Sequence, residues 1–261
     1  MLPSQRPSWR LPRGVSRGTW DYVQSRRVAR DYDDYFAWKS LFQFDQEVLV
    51  RHFSSQGLVA DFGCGTGRAL LPLVRNGRRG LAIDLSRHML QVVLEKAASD
   101  GVSVDCLQAN LVDMDAIADA SVDDAMCLFS TLGMIRGRTN RRRALGHFYR
   151  ILKPGGRFVL HVHNYWYNLR DPGGPRWLMA NLAAAPFRSE IELGDKWFPY
   201  RGLPSMYLHV FRWRELASDL RHAGFRIVEK IALDARRRHP LAMPWFLGAL
   251  RANGWIIVVA K

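Results

Sequence analysis

Cysteine is scarce in this 261-residue chain: Cys64, Cys106 and Cys127 are all it has, and no two stand at CxxC spacing. That excludes a zinc knuckle or a disulfide framework and suits a reducing compartment, so the cytoplasm is the expected location. No apolar run reaches about 18 residues, which excludes a transmembrane helix. Neither GKS nor GKT occurs, which excludes a P-loop. His, Cys, Asp and Glu nowhere cluster at ligand spacing, so no metal is expected. The first residues set Pro3, Pro7 and Pro12 among arginines and lack the apolar segment of a signal peptide. Lysine is also rare, 6 against 32 arginines.

What is abundant is positive charge, a net +14, and it is segregated. Residues 1–30 carry +6, residues 134–157 carry +8, residues 235–261 carry +5, and the remainder is −5. Such patches attract anionic partners: nucleic acid, an acidic membrane surface or a phosphorylated substrate. A coding bias towards arginine yields the same ratio, so charge alone selects none of them.

Residues 1–20, rich in Pro, Arg, Ser and Gly, are expected to lack stable structure. The flexible basic segment is taken to extend to residue 30, ahead of a single domain over 31–261. From Asp31 to Phe53, Phe36, Leu41, Phe44, Val48 and Leu49 recur at helical steps. An alternation follows: strands at 58–63, 80–85, 102–108, 122–130 and 157–162, most separated by helices. These helices run from Thr66 to Arg75, from an N-cap at Ser86, and from Thr139 along Leu145, Phe148 and Leu152 to the stop Lys153-Pro154-Gly155-Gly156. That rhythm predicts an α/β fold, doubly wound about a mostly parallel sheet. Two further strands, 225–233 and 255–260, bring the sheet to seven. The proline- and aromatic-rich stretch 164–210 breaks the pattern and reads as a lid inserted after the fifth strand.

The sharpest local signal is VADFGCGTGR, residues 59–68. Gly63, Gly65 and Gly67 fall between a strand and a helix, where side chains would bar a ligand from the backbone. Asp84 ends the next strand, where a carboxylate can accept both hydroxyls of a ribose. The spacing is G-x-G-x-G, not the dinucleotide pattern G-x-G-x-x-G.

The loop DFGCGTG (61–67), the turn IDLS (83–86), the segment QANL (108–111), the strand DDAMCLFSTLG (123–133) and LKPGG (152–156) together resemble the class I S-adenosylmethionine-dependent methyltransferases, which have a Rossmann-like fold. The resemblance covers roughly residues 30–164 and resumes at 211–261. It implies S-adenosylmethionine as cofactor, bound by Gly63, Cys64, Gly65 and Gly67, with Asp61 holding the loop and the amino group. It further implies Asp84 on the ribose, Leu85 and Leu111 on adenine, Asn110 on the adenine amino group, and Tyr32 folding over the cofactor. The family often has Asp where Asn110 stands, but an amide oxygen also accepts from an amino group.

Methyl transfer from a sulfonium needs an in-line nucleophile more than an acid or a metal. The exit of the fourth strand, Phe129-Ser130-Thr131-Leu132-Gly133, lacks the Asn/Asp-Pro-Pro-Tyr/Phe pattern of exocyclic amino methylases. His161 and His163 share one strand face, and His163 at the carboxyl edge is the candidate base or orienting group. The lid aromatics Trp166, Trp177, Trp197 and Phe198 suit a small apolar acceptor. Against this stand Arg141, Arg142, Arg143, Arg150 and Arg236–Arg238, which would suit RNA. Residues 199–216 also echo wobble-uridine tRNA methyltransferases. A non-catalytic cofactor-binding subunit is a third reading, and the apolar run 240–250 behind Arg236–Arg238 allows docking on a membrane surface.

Overall fold

Short β-branched and aliphatic runs become strands because both their faces are covered. In the computed structural model, which describes residues 7, 10–36, 43–188 and 190–261, the run Val59-Ala60-Asp61-Phe62 is buried throughout. The chain begins with α1 (Arg17–Gln24), α2 (Arg26–Arg30), α3 (Tyr32–Phe36) and α4 (Gln43–His52). Leu41 lies outside the described residues. The wound unit follows as β1 (Leu58–Phe62), α5 (Leu70–Arg75), β2 (Arg79–Asp84), α6 (Arg87–Ser99), β3 (Asp105–Gln108), β4 (Val122–Cys127), α7 (Arg138–Ile151) and β5 (Leu152–His163). The stretch 164–210, read from the sequence as a lid, holds α8 (Gly174–Ala184), β6 (Asp195–Tyr200) and β7 (Leu203–His209). The chain returns through α9 (Trp213–His222), β8 (Arg226–Ala232), α10 (Gly248–Arg251) and β9 (Gly254–Ala260).

Seven strands form one sheet in the order β3-β2-β1-β4-β5-β9-β8, and β6 and β7 pair separately. All neighbours from β3 through β5 are parallel, while β9 runs antiparallel to both β5 and β8. The expected mostly parallel, doubly wound sheet is therefore present. One face carries Phe62, Phe148 and Phe158, with the Phe62 and Phe148 rings stacked at 4.1 Å. The other carries Val48, Leu49, Leu70, Leu73 and Val93 from α4, α5 and α6. Reversal of strand order beside β1 opens a crevice at the carboxyl ends of β1 and β4, where wound sheets take ligands.

Several local expectations are corrected. Residues 17–30 are helical, because Ser16 and Ser25 cap α1 and α2 and the apolar side chains of Val28 and Ala29 pack on Met89 of α6. α5 starts at Leu70 and not at Thr66, since the residues before it are spent on the glycine turn. α7 starts at Arg138 after Gly137 (φ 88°), so Thr139 lies within the helix. β5 already begins at Leu152, paired with Val122. Ser86 does cap α6, its hydroxyl accepting from Met89 N. The run 240–250 is largely exposed, with Trp245 at 80% of its surface in solvent.

Candidate functional site

β1 ends at Phe62, and the chain must then turn sharply enough for α5 to return along the sheet. Gly63, Gly65 and Gly67 make that turn at φ 84°, 53° and 76°, a region costly for residues with a Cβ. Gly63 N and Cys64 N donate to Ile83 O at 2.8 and 3.0 Å, tying the loop to β2. Gly65 N donates to Asp84 Oδ2 at 2.9 Å, and Ser86 N to Asp84 Oδ1 at 2.8 Å. A Cβ on Gly65 would project into open space, with Tyr32 Cε1 its nearest neighbour at 4.0 Å. α3 is pinned above this loop because Thr66 Oγ1 donates to Asp33 Oδ1 at 2.7 Å and Lys96 pairs with Asp33.

The loop, the end of β2 and the exit of β4 enclose one cavity. Every residue expected at the cofactor lines it except Gly67. A Cβ on Gly67 would meet Val93 Cγ2 at 3.2 Å and Leu71 Cγ at 3.3 Å, so this glycine packs the loop onto α5 and α6. Leu111, Met89 and Ile135 give the cavity an apolar side, and the carboxyls of Asp61 and Asp84 a polar one. Burial, reinforced by the charge of Asp84, pushes the Asp61 carboxyl up to about 8. Burial also raises Asp84, against the opposing pull of the Ser86, Gly65 and Leu85 backbone N–H groups. Among the described residues, no cation is ion-paired with either carboxylate.

The N-terminal helices close this cavity. Gly14, Val15, Thr19 and Tyr22 line it; the resemblance implies that the segment bearing Tyr22 folds over the cofactor, while no local pattern singles out Gly14, Val15 or Thr19. The signal available was Ser16, a capping hydroxyl that accepts from Thr19 N at 3.2 Å and starts α1. Arg136 N donates to Gly14 O at 2.7 Å, and Ser86 Oγ to Val23 O at 2.6 Å. Asn110 joins the same clasp: its amide donates to Arg13 O at 3.0 Å and Asp113 Oδ2 at 3.1 Å, and its oxygen accepts from Val112 N at 3.3 Å. One lone pair of that oxygen is left for a ligand.

His163 does not line the cofactor cavity. It stands in a neighbouring one with Tyr167, Lys196, Phe198, Arg237 and Asn253, beneath the lid. Burial drives its pKa well below the ordinary value, helped by the nearby Arg237 and His161 charges and opposed by a hydrogen bond with Asn253. His161 is buried and faces Asp45, Nδ1 to Oδ1 at 3.2 Å. Phe129, which lines the cofactor cavity, and the adjacent Ser130 both have left-handed backbone (φ 54° and 61°), and Ser130 Oγ accepts from His163 N at 2.9 Å. Of the lid aromatics, Trp166 and Trp177 pack around Tyr165 and Leu178. Trp197 points outward, while Phe198, next along β6, reaches the His163 cavity.

The basic helix α7 is more internal than its composition suggests. Arg141 is fully buried, pairing with Glu192 and lying 3.6 Å from Glu215. Arg138 and Arg142 both bind the buried Asp219, at 2.9 and 2.7 Å. Arg143 and Arg150 donate to the carbonyls of Val112 and Ile117 at 2.8 and 2.6 Å. Beside Arg141, His209 lies between Asp195 Oδ1 and Glu215 Oε1, 2.8 Å from each.

Comparison with known proteins agrees with this geometry. A sequence profile of the methyltransferase domain family matches residues 60–160. The ubiquinone/menaquinone biosynthesis C-methyltransferase of Haemophilus ducreyi is 30% identical over 183 residues, covering 68% of this chain and 67% of that one. A S-adenosyl-L-methionine-dependent Diels-Alderase of Talaromyces variabilis is 30% identical over 105 residues, 39% of this chain and 35% of its own. The chain spans between about a third and a half of the length of the first curated relatives it matches. In fold, a S-adenosylmethionine-dependent methyltransferase of Methanosarcina mazei superposes with a TM-score of 0.66 at 20% identity, covering 82% of this chain and 96% of that one. The glycine turn, the acid closing β2, the strand order and the extended match to the Haemophilus enzyme lead to one assignment: this chain belongs to the class I S-adenosylmethionine-dependent methyltransferases.

Proposed function

We propose that the chain transfers the methyl group of S-adenosylmethionine to a small-molecule acceptor held beneath the lid. The reading is carried by two carboxylates, the buried Asp61 and the half-buried Asp84, that face one cavity with no paired cation among the described residues. An uncompensated buried carboxylate is costly unless a ligand supplies the missing charge or donors. The cofactor fits that requirement, since it brings two hydroxyls and two positive centres. Asp84 would accept the hydroxyls on its remaining lone pairs while keeping its two backbone donors. Asp61 would face positive charge, Gly65 would let the backbone approach, and Leu111, Met89 and Ile135 would wall the purine.

When bound, the cofactor supplies a methyl group already activated by positive sulfur. The chain's own contribution is then position and the exclusion of water. The N-terminal clasp, held by Asn110, Arg136 and Ser86, covers part of the cavity. His163 is neutral at pH 7, because burial lowers its pKa, and its ring can take a proton from an acceptor that must lose one. Asn253 orients that ring.

The quinone-biosynthesis C-methyltransferase among the relatives supports a small acceptor. RNA finds less support, since Arg141 is buried and Arg138 and Arg142 are committed to Asp219. A relative named as a Diels-Alderase means that turnover, and not binding alone, must be tested. Incubated with methyl-labelled cofactor and separate metabolite and RNA fractions, the protein should place label in the metabolite fraction and accumulate S-adenosylhomocysteine. Label in RNA, or cofactor bound but never consumed, would overturn the reading.

A further inference from the structure

The cavity under the lid has a chemistry of its own. Its lining includes three nitrogen bases, His163, Lys196 and Arg237, alongside Tyr167, Phe198 and Asn253. The three are not equivalent. Lys196 is already answered, with Nζ 2.7 Å from Asn168 Oδ1 and 3.4 Å from Asp171 Oδ2. His163 is held neutral by burial. Arg237 is the exception: it is partly buried, and among the described residues no carboxylate lies within ion-pair distance of it. Its nearest acidic influence, Asp45, is engaged with His161.

The backbone makes this arrangement deliberate. Arg237 sits in the turn between Leu233 and Pro240, at φ 58°, a left-handed conformation disfavoured for a residue with a β-carbon. The turn is closed by Arg237 N donating to Asp234 O at 3.1 Å and Arg238 N to Asp234 Oδ1 at 2.9 Å. The neighbours Arg236 and Arg238 point to solvent, so only one of three consecutive arginines is turned inward. Desolvation lowers the pKa of Arg237, as expected for a guanidinium whose own surroundings do not repay its burial.

This cavity also adjoins the cofactor cavity through an aromatic line. Phe198 of the lid lies 6.1 Å, ring to ring, from Tyr200, and Tyr200 lies 6.1 Å from Tyr22, which lines the cofactor cavity.

We infer that the cavity bounded by His163, Phe198 and Arg237 is the acceptor subsite and that it takes the anionic group, a carboxylate or a phosphate, of an acceptor with a flat apolar body. Arg237 supplies the paired N–H donors that carboxylate and phosphate oxygens accept, Lys196 adds field, and Phe198 supplies the apolar wall. The inference builds on the proposed methyl transfer for its meaning, but anion binding is measurable without it.

The test uses benzoate, phenyl phosphate and the neutral benzamide, titrated into the full chain without cofactor at ionic strength held constant with sodium chloride. Thermal unfolding is followed as each is added. Benzoate or phenyl phosphate should stabilise the protein saturably, the stronger of the two identifying the anion, and benzamide should not. Arg237→Gln should weaken the apparent affinity at least about tenfold, the loss of one charge-assisted contact, while the exposed Arg236→Gln should leave it unchanged. Lys196→Gln, expected to weaken it less, serves if the first variant fails to fold. No saturable response to either anion, or equal affinity in wild type and Arg237→Gln, would overturn the inference. A parallel titration with S-adenosylmethionine separates the failures. Cofactor that does not bind the wild type sinks the methyltransferase reading, and anion binding that persists then stands by itself.

Discussion

The cofactor cavity and the root of the lid both bury ionisable groups, yet they settle the charge in opposite ways. At the root of the lid, Arg141 and His209 are interleaved with Glu192, Asp195 and Glu215, and Tyr207 OH donates to Asp195 at 2.7 Å. Burial alone would raise the pKa of Asp195 and Glu215, but hydrogen bonds from His209 hold both below the ordinary range. Each of the three carboxylates there is paired with Arg141 or His209 within the protein. In the cofactor cavity burial wins, and both Asp61 and Asp84 are raised. A balanced cluster is a fastening, whereas an unbalanced one is a place for a ligand.

That contrast is open to attack from the lid side first. Arg141→Met should cost about 3–5 kcal/mol, because it leaves the buried Glu215 and the half-buried Glu192 without their guanidinium. Urea denaturation would read this as a lower midpoint at unchanged slope. A loss below about 1 kcal/mol would mean that the cluster is not what fastens the hairpin β6–β7 to α7. On the cofactor side, Asp84→Ala should weaken S-adenosylmethionine binding at least about tenfold, or ~1.4 kcal/mol, with circular dichroism unchanged. Unaltered affinity in a folded variant would remove Asp84 from the site. As the reference for both, the partly exposed pair Arg75–Asp100 should tolerate Arg75→Ala at a cost under about 1 kcal/mol, since solvent already screens it.

The two regions also differ in how far the sequence discloses them. The strands around the glycine loop are legible because each is a short buried run, and the loop because positive φ demands glycine at Gly63 and Gly65. Asp84 is legible because it ends the strand next to that loop. Gly67 shows the limit, since the same backbone demand serves helix packing as well as ligand approach. The lid is different. Pro199 and Pro204 mask the β6–β7 hairpin as a loop, and its fastening joins Arg141 to Glu192, 51 residues away. No local periodicity carries such a pairing, so Arg141 reads as one more surface arginine. The N-terminal clasp was hidden for a related reason. Its contacts, Arg13 O with Asn110 and Gly14 O with Arg136, are made by backbone carbonyls, which every residue has.

The central claim, that the cavity's carboxylates await a cationic ligand, has a direct test in Asp61. In the free protein Asp61 titrates near 8, so at pH 7 its carboxyl is mostly protonated. A positively charged ligand favours the ionised form, so binding below that pH must expel protons, and affinity must rise with pH until about 8 and then level off. Titration calorimetry with S-adenosylmethionine at pH 7, in two buffers of different ionisation enthalpy, counts those protons. Wild type should release more protons per site than Asp61→Asn, up to about one. Equal proton release by the two proteins, at saturable binding, would contradict the account.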